Sequence, residues 1–168
     1  ISANYGLGND GNEFKIITQV FLYKFMNDKF AHEVKKIDSK INGSENWEEV
    51  LSGYSEDDYE MLLFQLGADT AKLKPEHYIS TLFGRQNESD FAKLFDDTLI
   101  DIAITNADIF SVKTEGGAKV KLFDRITEYI SDPSIRDEFA KALINKIVTV
   151  SFEHIFTQKY DFYATIFE

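Results

Sequence analysis

Apolar and aromatic residues recur every three or four positions between residues 12 and 36, and this spacing constrains the fold more than any other feature. The pattern is carried by Phe14, Ile17, Phe21 and Phe25. Because an α-helix has about 3.6 residues per turn, such residues form a stripe along one side of a helix. We therefore expect a long first helix, with Asn12 as its N-cap, whose aromatic stripe packs into the core.

Helical periodicity returns in several later segments, which turn and cap residues separate. The predicted helical segments are 47–51, 55–67, 75–84, 90–103, 122–130 and 132–147. Ser55 and Asp58 resemble a capping box, and Pro75 and Pro133 suit the first position of a helix. Alternation around Gly116-Gly117 favours a small β-hairpin near residues 109–121, which must pack against the helices or not form. The predicted fold class is all-α, an irregular helical bundle.

Composition excludes several classes of protein. The 168 residues include 43% hydrophobic and 14% aromatic residues, which is enough for one packed core, and there is no cysteine for disulfides or thiolate metal sites. No apolar run reaches the roughly 18–20 residues that a membrane span needs, and the first residues do not resemble a signal peptide. We expect a bacterial or archaeal cytoplasmic protein.

The residues show no pattern typical of a catalytic or cofactor site. The stretch from Gly6 to Gly11 has the letters of a dinucleotide-binding motif, but it lacks the preceding strand that this motif requires, and we interpret it as a loop. His32, His77 and His154 are far apart in sequence, so each is expected to be a surface or interhelix residue rather than a metal ligand. The paired acids at 57–58 and 96–97 lie in predicted helices, where neighbours face different directions.

Two segments resemble one family, the type I restriction-modification DNA methyltransferase (M) subunits. In the first, Phe21-Leu22-Tyr23-Lys24-Phe25 followed by Asn27-Asp28 and Phe30 is similar to the first helix of that family. In the second, residues 161–168 are similar to the helix that leads into the catalytic domain, with Ala164 and Phe167 in place of Gly and Tyr. The resemblance extends over nearly the whole chain, and residues 37–120 depart from it most.

The resemblance implies that the parent protein is an enzyme, whereas this chain supplies a non-catalytic part of it. Such a subunit transfers a methyl group from S-adenosylmethionine to the amine of adenine in DNA, using motifs that this chain lacks. Residues 1–160 would form the helical N-terminal domain, and residues 161–168 would begin the helix toward the catalytic domain. No cofactor is expected in these residues. The implied partners are a specificity subunit, a second M subunit, a restriction subunit and double-stranded DNA.

Charge is distributed unevenly along this acidic chain, whose net charge is −11. Residues 41–71 contain eight acids and no Lys or Arg, whereas residues 13–36 contain five lysines and three acids. A solvated helix face explains either run, and local positive balance also allows contacts to DNA phosphates. The candidate phosphate-contacting residues are Lys24, Lys35, Lys36, Lys119, Lys121 and Arg125.

A second interpretation stays open, in which the chain is a stand-alone acidic helical module that binds other proteins. The C-terminal stretch is apolar and periodic and stops without a cap or glycine, so we expect its helix to continue beyond Glu168. A Gly-x-Phe-Tyr-Thr-Pro-like segment within about twenty residues after Glu168 would favour the methyltransferase interpretation. A gene that stops at Glu168 would favour the interaction module.

Overall fold

A computed structural model describes residues 10–107 and 122–152 of the chain. Within these two ranges the regular structure is entirely helical, with no residue assigned to a strand, so the all-α prediction is confirmed. The α-helices are α1 (Asp10–Ile37), α2 (Ser39–Asn42), α3 (Trp47–Ser52), α4 (Glu56–Phe64), α5 (Ile79–Gly84), α6 (Phe91–Thr105) and α7 (Arg136–Ile147), and 3₁₀ turns span Pro75–His77, Ile126–Tyr129 and Pro133–Ile135. The predicted hairpin near 109–121 and the segment 161–168 lie outside the described residues.

Helix α1 is the central element, and its buried face differs from the predicted one. It begins at Asp10, so Asn12 lies inside the first turn and is not the N-cap that we predicted. Its fully buried residues include Ile16, Tyr23, Met26, Phe30 and Val34. Of the predicted stripe only Phe25 is buried, whereas Phe14, Ile17 and Phe21 are 69%, 42% and 37% exposed. The stripe prediction was therefore wrong for three of its four residues, because α1 is apolar on more than one face.

Side-chain caps explain where the short helices begin after α1. The carboxylate of Asp38 accepts a hydrogen bond from the backbone N–H of Lys40 at the start of α2. The predicted Ser55 cap is confirmed, since its hydroxyl accepts the backbone N–H of Asp58 at 3.1 Å. Each such bond satisfies a backbone donor that has no partner within its own helix.

The N-terminus of α6 is capped by a residue from α7. Asp90 occupies the position before α6 with a left-handed backbone (φ 59°), and its side chain makes no cap hydrogen bond. The carboxylate of Asp137 instead accepts the backbone N–H of Ala92 at 2.9 Å. Because α6 and α7 pack against each other, this bond joins the start of one helix to the first turn of the other.

One hydrophobic core joins these helices, and aromatic rings occupy its centre. The ring of Tyr23 on α1 meets that of Phe95 on α6 edge-to-face, with centroids 6.3 Å apart. Phe30, Trp47 and Tyr78 form a second group with centroid distances of 4.8–5.9 Å. Among the described helices, none has the combination of length and apolar content needed to cross a bilayer.

Candidate partner-binding surface

Residues 20–30, the segment that carries the family resemblance, tie α1 to three other parts of the fold. The hydroxyl of Tyr23 donates to the backbone carbonyl of His77 at 2.6 Å. The side-chain oxygen of Asn27 accepts the backbone N–H of Ile79 at 3.0 Å, at the start of α5. The carboxylate of Asp28 accepts the backbone N–H of Phe152 at 3.3 Å. These polar side chains therefore position the elements around α1, which is a structural role.

Lys24 and Lys35, two of the candidate phosphate contacts, line the same cavity. The cavity has a volume of about 300 Å³ and lies between α1 and residues 148–151, with His32 and Trp47 among its other lining residues. The ammonium group of Lys24 lies 3.1 Å from the carboxylate of Asp28, and only 11% of its side chain is exposed. The Lys24 charge is thus already neutralised by a neighbour, and the geometry gives DNA little access to it.

Lys36 and Arg125 lie elsewhere on the surface. Lys36 pairs with Glu33 at 3.4 Å and keeps 60% of its side chain exposed. Arg125 lies 2.8 Å from Asp97 and 3.5 Å from Glu128, and the Asp97 carboxylate raises the pKa of its guanidinium. Lys119 and Lys121 lie outside the described residues. The structure therefore brings Lys24 and Lys35 together but not Lys36 or Arg125, and contact with DNA phosphates stays a prediction.

The adjacent acids Asp96 and Asp97 face different directions, as the sequence predicted. Asp96 is buried against Thr127, whereas Asp97 is partly exposed and pairs with Lys93 and Arg125. Their carboxylates therefore serve separate contacts and do not form a catalytic pair.

Among the described residues, Glu76, His77 and Asp101 bring three possible metal-ligand atoms within 4.8 Å of one another, and His77 is the buried member of this cluster. Its side chain lies near the carboxylates of Glu76 and Asp101. The Nδ1 atom of His77 accepts the backbone N–H of Lys74 at 3.0 Å, so the ring proton is assigned to Nε2, which donates to Asp101 at 2.5 Å. A metal ion needs a free lone pair on the ring nitrogen that it binds. Both ring nitrogens are engaged, and the cluster is a hydrogen-bond network that holds the turn Pro75–His77 against α6.

The feature that sequence reasoning missed is an exposed apolar surface on α1, which we call the α1–α7 groove. Its lining residues are Glu13, Ile16, Ile17, Val20, Phe21, Leu143, Lys146 and Ile147, and they enclose about 360 Å³. Phe14 precedes the lining residue Ile17 by three positions, so it shares that face of α1, and 69% of its surface is exposed. Contiguous exposed apolar surface is typical of sites that bind proteins, membranes or small ligands. The signal was present in the sequence as an excess of apolar residues, but spacing alone did not tell the covered residues from the exposed ones.

Comparison of the chain with protein-family models, with curated protein sequences and with solved structures found no match.

Proposed function

We propose that this chain is the non-catalytic helical N-terminal domain of a type I restriction-modification DNA methyltransferase subunit. In this proposal the domain binds neighbouring subunits and helps to close the assembled complex around DNA in the cytoplasm. The sequence resemblance in residues 20–30 and 161–168 is the basis for the family. The all-α fold agrees with a helical N-terminal domain, and the hydrogen bonds of Tyr23, Asn27 and Asp28 give the first of these segments a structural reason for its polar positions.

The α1–α7 groove, with its exposed aromatic residues, is the observation that supports the partner-binding role. Covering Phe14, Ile17 and Phe21 would remove apolar surface from water, which is favourable by roughly 25 cal/mol per Å². Phe14 would contribute most, because 69% of its surface is exposed. A subunit interface of the implied complex provides such an apolar environment. Phosphate groups do not, so this surface favours a protein partner over DNA.

If the domain helps to close the complex around DNA, it would do so by moving as a rigid body more than by binding phosphates through the described cations. A helical domain hinged to a catalytic domain can act as a clamp arm that closes when DNA fills the channel. Three of the described candidate cations, Lys24, Lys36 and Arg125, form ion pairs within the fold. Of these three, Lys36 has the most exposed side chain. S-adenosylmethionine and the target adenine would bind in the parent's catalytic domain.

The proposal is tested by expressing the complete parent protein with its specificity subunit. In the source organism, deleting the gene should remove N6-methyladenine from one bipartite DNA motif, as read by long-read sequencing. In the purified complex, Phe14→Ser with Ile17→Ser should weaken subunit assembly about tenfold or more, measured by native mass spectrometry. Phe83→Ser on α5, which is also exposed, is the matched control and should leave assembly unchanged.

Each outcome of this test bears on a separate part of the proposal. Unchanged adenine methylation after gene deletion would rule out the methyltransferase assignment. Intact assembly in the Phe14 and Ile17 double variant would rule out the α1–α7 groove as the subunit contact. For DNA, the charge reversals Lys35→Glu, Lys36→Glu, Lys119→Glu and Lys121→Glu should lower the affinity of the complex and reduce its salt dependence. Lys24 and Arg125 are left unchanged, because their side chains are 11% and 34% exposed and form ion pairs within the fold. Unchanged affinity and salt dependence would exclude phosphate contacts by the reversed lysines.

The alternative function, a stand-alone acidic module that binds proteins, is favoured by one specific observation. Seven of the eight acids in residues 41–71 are exposed, and the eighth, Glu48, is half-buried. Such a surface repels nucleic acid and suits a protein partner of opposite charge. The sequence that follows Glu168 in the gene distinguishes the two functions, as described above.

A further inference from the structure

Helix α4 presents two large apolar side chains to solvent although it is only nine residues long. Met61 is 63% exposed and Phe64 is 82% exposed, while Leu62 on the opposite side is buried in the core. Residues three apart in a helix lie on one face, so Met61 and Phe64 are neighbours on the outer side of α4. Exposed methionine and phenylalanine side chains together are typical of surfaces that bind another helix.

A groove lies next to this pair of side chains, between α4 and the α2–α3 region. Its apolar walls are Ile37, Val50, Tyr54, Met61 and Leu62, and its volume is about 570 Å³. The polar lining residues include Asp38, Lys40 and Asp58. The hydroxyl of Tyr54 and the backbone N–H of Lys40 donate to Asp38 and hold the pKa of its carboxyl below the usual range. The groove therefore combines apolar walls with a charged lining of two carboxylates, Asp38 and Asp58, and one cation, Lys40.

Acidic side chains surround both the groove and the exposed pair. Asp57 and Glu60 precede Met61 and Phe64 by four residues each, which places them on the same outer face of α4. Among the described residues, the cations shown at this surface are Lys40, which lines the groove, and Lys72, whose ammonium lies 5.5 Å from the centre of the Phe64 ring. Because residues 41–71 contain no Lys or Arg, α4 itself contributes only negative charge to this surface.

We propose that this surface, α4 with the groove beside it, binds a basic amphipathic helix of another protein. The apolar side of that helix would cover Met61 and Phe64 and enter the groove, and its Lys or Arg residues would pair with Asp57, Glu60 and their neighbours. This inference concerns a surface separate from the α1–α7 groove. It holds whether or not the parent is a methyltransferase.

The negative charge of this surface favours a basic helix over the other molecules that could cover an apolar surface. A second copy of the chain in a two-fold dimer would place the same acidic face against itself, and like charges would repel. Nucleic acid and anionic lipid would be repelled for the same reason. A divalent cation would need converging ligands, and among the described residues the group that meets this condition is Glu76, His77 and Asp101, which lies outside this surface.

The test uses the full chain and two synthetic helical peptides of about 18 residues, or five helical turns. One peptide has leucines at helical spacing with lysines at the other positions, and the second has glutamates in place of the lysines. The lysine peptide should bind and shift the backbone amide NMR signals of α3 and α4. Phe64→Ser, and separately the pair Asp57→Lys and Glu60→Lys, should each weaken binding about tenfold, measured by isothermal titration calorimetry.

The matched controls change the same residue types elsewhere on the surface. Phe83→Ser on α5 and Glu138→Lys on α7 both alter exposed residues and should leave the affinity within about twofold. The glutamate peptide should not bind. The proposal is overturned if the lysine peptide fails to bind, if the α4 variants and the controls bind it equally, or if the shifted signals belong to α1 and α7. Because Phe64 and Asp57 are exposed, loss of folding does not explain a positive result, and far-UV circular dichroism of each variant verifies this.

Discussion

The carboxylate of Asp96 accepts two hydrogen bonds from Thr127, one from its backbone N–H at 3.1 Å and one from its hydroxyl at 2.5 Å. Both residues are about 1% exposed. Asp96 lies on α6, and Thr127 lies 31 residues later in the 3₁₀ turn Ile126–Tyr129. The pair fixes this turn against α6. Burial away from water raises the pKa of Asp96 from 3.8 to about 6, although the Thr127 bonds act in the opposite direction.

The raised pKa predicts that stability falls as pH increases through the titration of Asp96. Between pH 3.8 and about 6 the folded chain binds this proton more tightly than the unfolded chain, so the Asp96 contribution is lost as pH rises. Asp96→Asn keeps an acceptor for Thr127 but does not titrate. Relative to the variant, the wild-type chain should lose up to about 3 kcal/mol of unfolding free energy across this window. Urea denaturation at several pH values measures the difference.

The control for the Asp96 prediction is its neighbour on the same helix. Hydrogen bonds from Lys93 and Arg125 hold the pKa of Asp97 below its usual range, so Asp97 is already charged where Asp96 titrates. Asp97→Asn should therefore shift stability by a nearly constant amount above pH 5 or so. Parallel pH profiles for the wild type and Asp96→Asn would contradict the buried titration.

Asn106 should be among the side chains whose loss most destabilises the fold. It is 2% exposed, its oxygen accepts the backbone N–H of Lys72, and its nitrogen donates to the carbonyls of Lys72 and Ile102. Asn106→Ala would leave these backbone groups without their partner and should cost about 2–4 kcal/mol. Asn145→Ala, at an exposed position, should cost less than about 1 kcal/mol. Chemical denaturation of both variants would disprove the prediction if the two costs were equal.

The cap from α7 to α6 predicts unequal effects for two neighbouring acids. Asp137 and Glu138 both lie in the first turn of α7 and interact similarly with its helix dipole. Asp137→Ala also removes the acceptor of the Ala92 N–H, so it should cost about 1 kcal/mol more than Glu138→Ala. Hydrogen exchange of the Ala92 amide should become faster in the first variant alone. Equal exchange in both variants would show that the cap does not stabilise α6.

Zinc should not stabilise the cluster of Glu76, His77 and Asp101. The Nδ1 atom of His77 is held by the Lys74 N–H and its Nε2 proton by Asp101, so a metal ion would have to break this network. Thermal melting with and without a zinc salt should therefore agree to within about 1 °C. A larger rise in Tm that disappears in Asp101→Asn would instead reveal a metal site.

The sequence was sufficient to predict most helices, because their signals are local. Ser55 caps α4, Gly84 ends α5, and the turn Pro133–Ile135 precedes α7, all of which follow from preferences within a few residues. The N-cap of α1 was predicted wrongly, because Asn12 lies inside the helix. In α6 the acceptor comes from Asp137, more than forty positions away, and no local pattern carries that information.

The candidate binding surfaces were harder to predict from the sequence than the helices, because they depend on the tertiary structure. The sequence determined that α1 is rich in apolar residues, that residues 41–71 are acidic, and that lysines cluster between residues 13 and 36. Only the packing of α1 against its neighbours decided that Tyr23 is covered while Phe14 remains exposed, and that the Lys24–Asp28 pair, four residues apart on one helix, is mostly buried. The reason is physical: helix formation and i,i+4 pairing depend on neighbours one turn away, whereas burial depends on which distant residues the fold brings into contact.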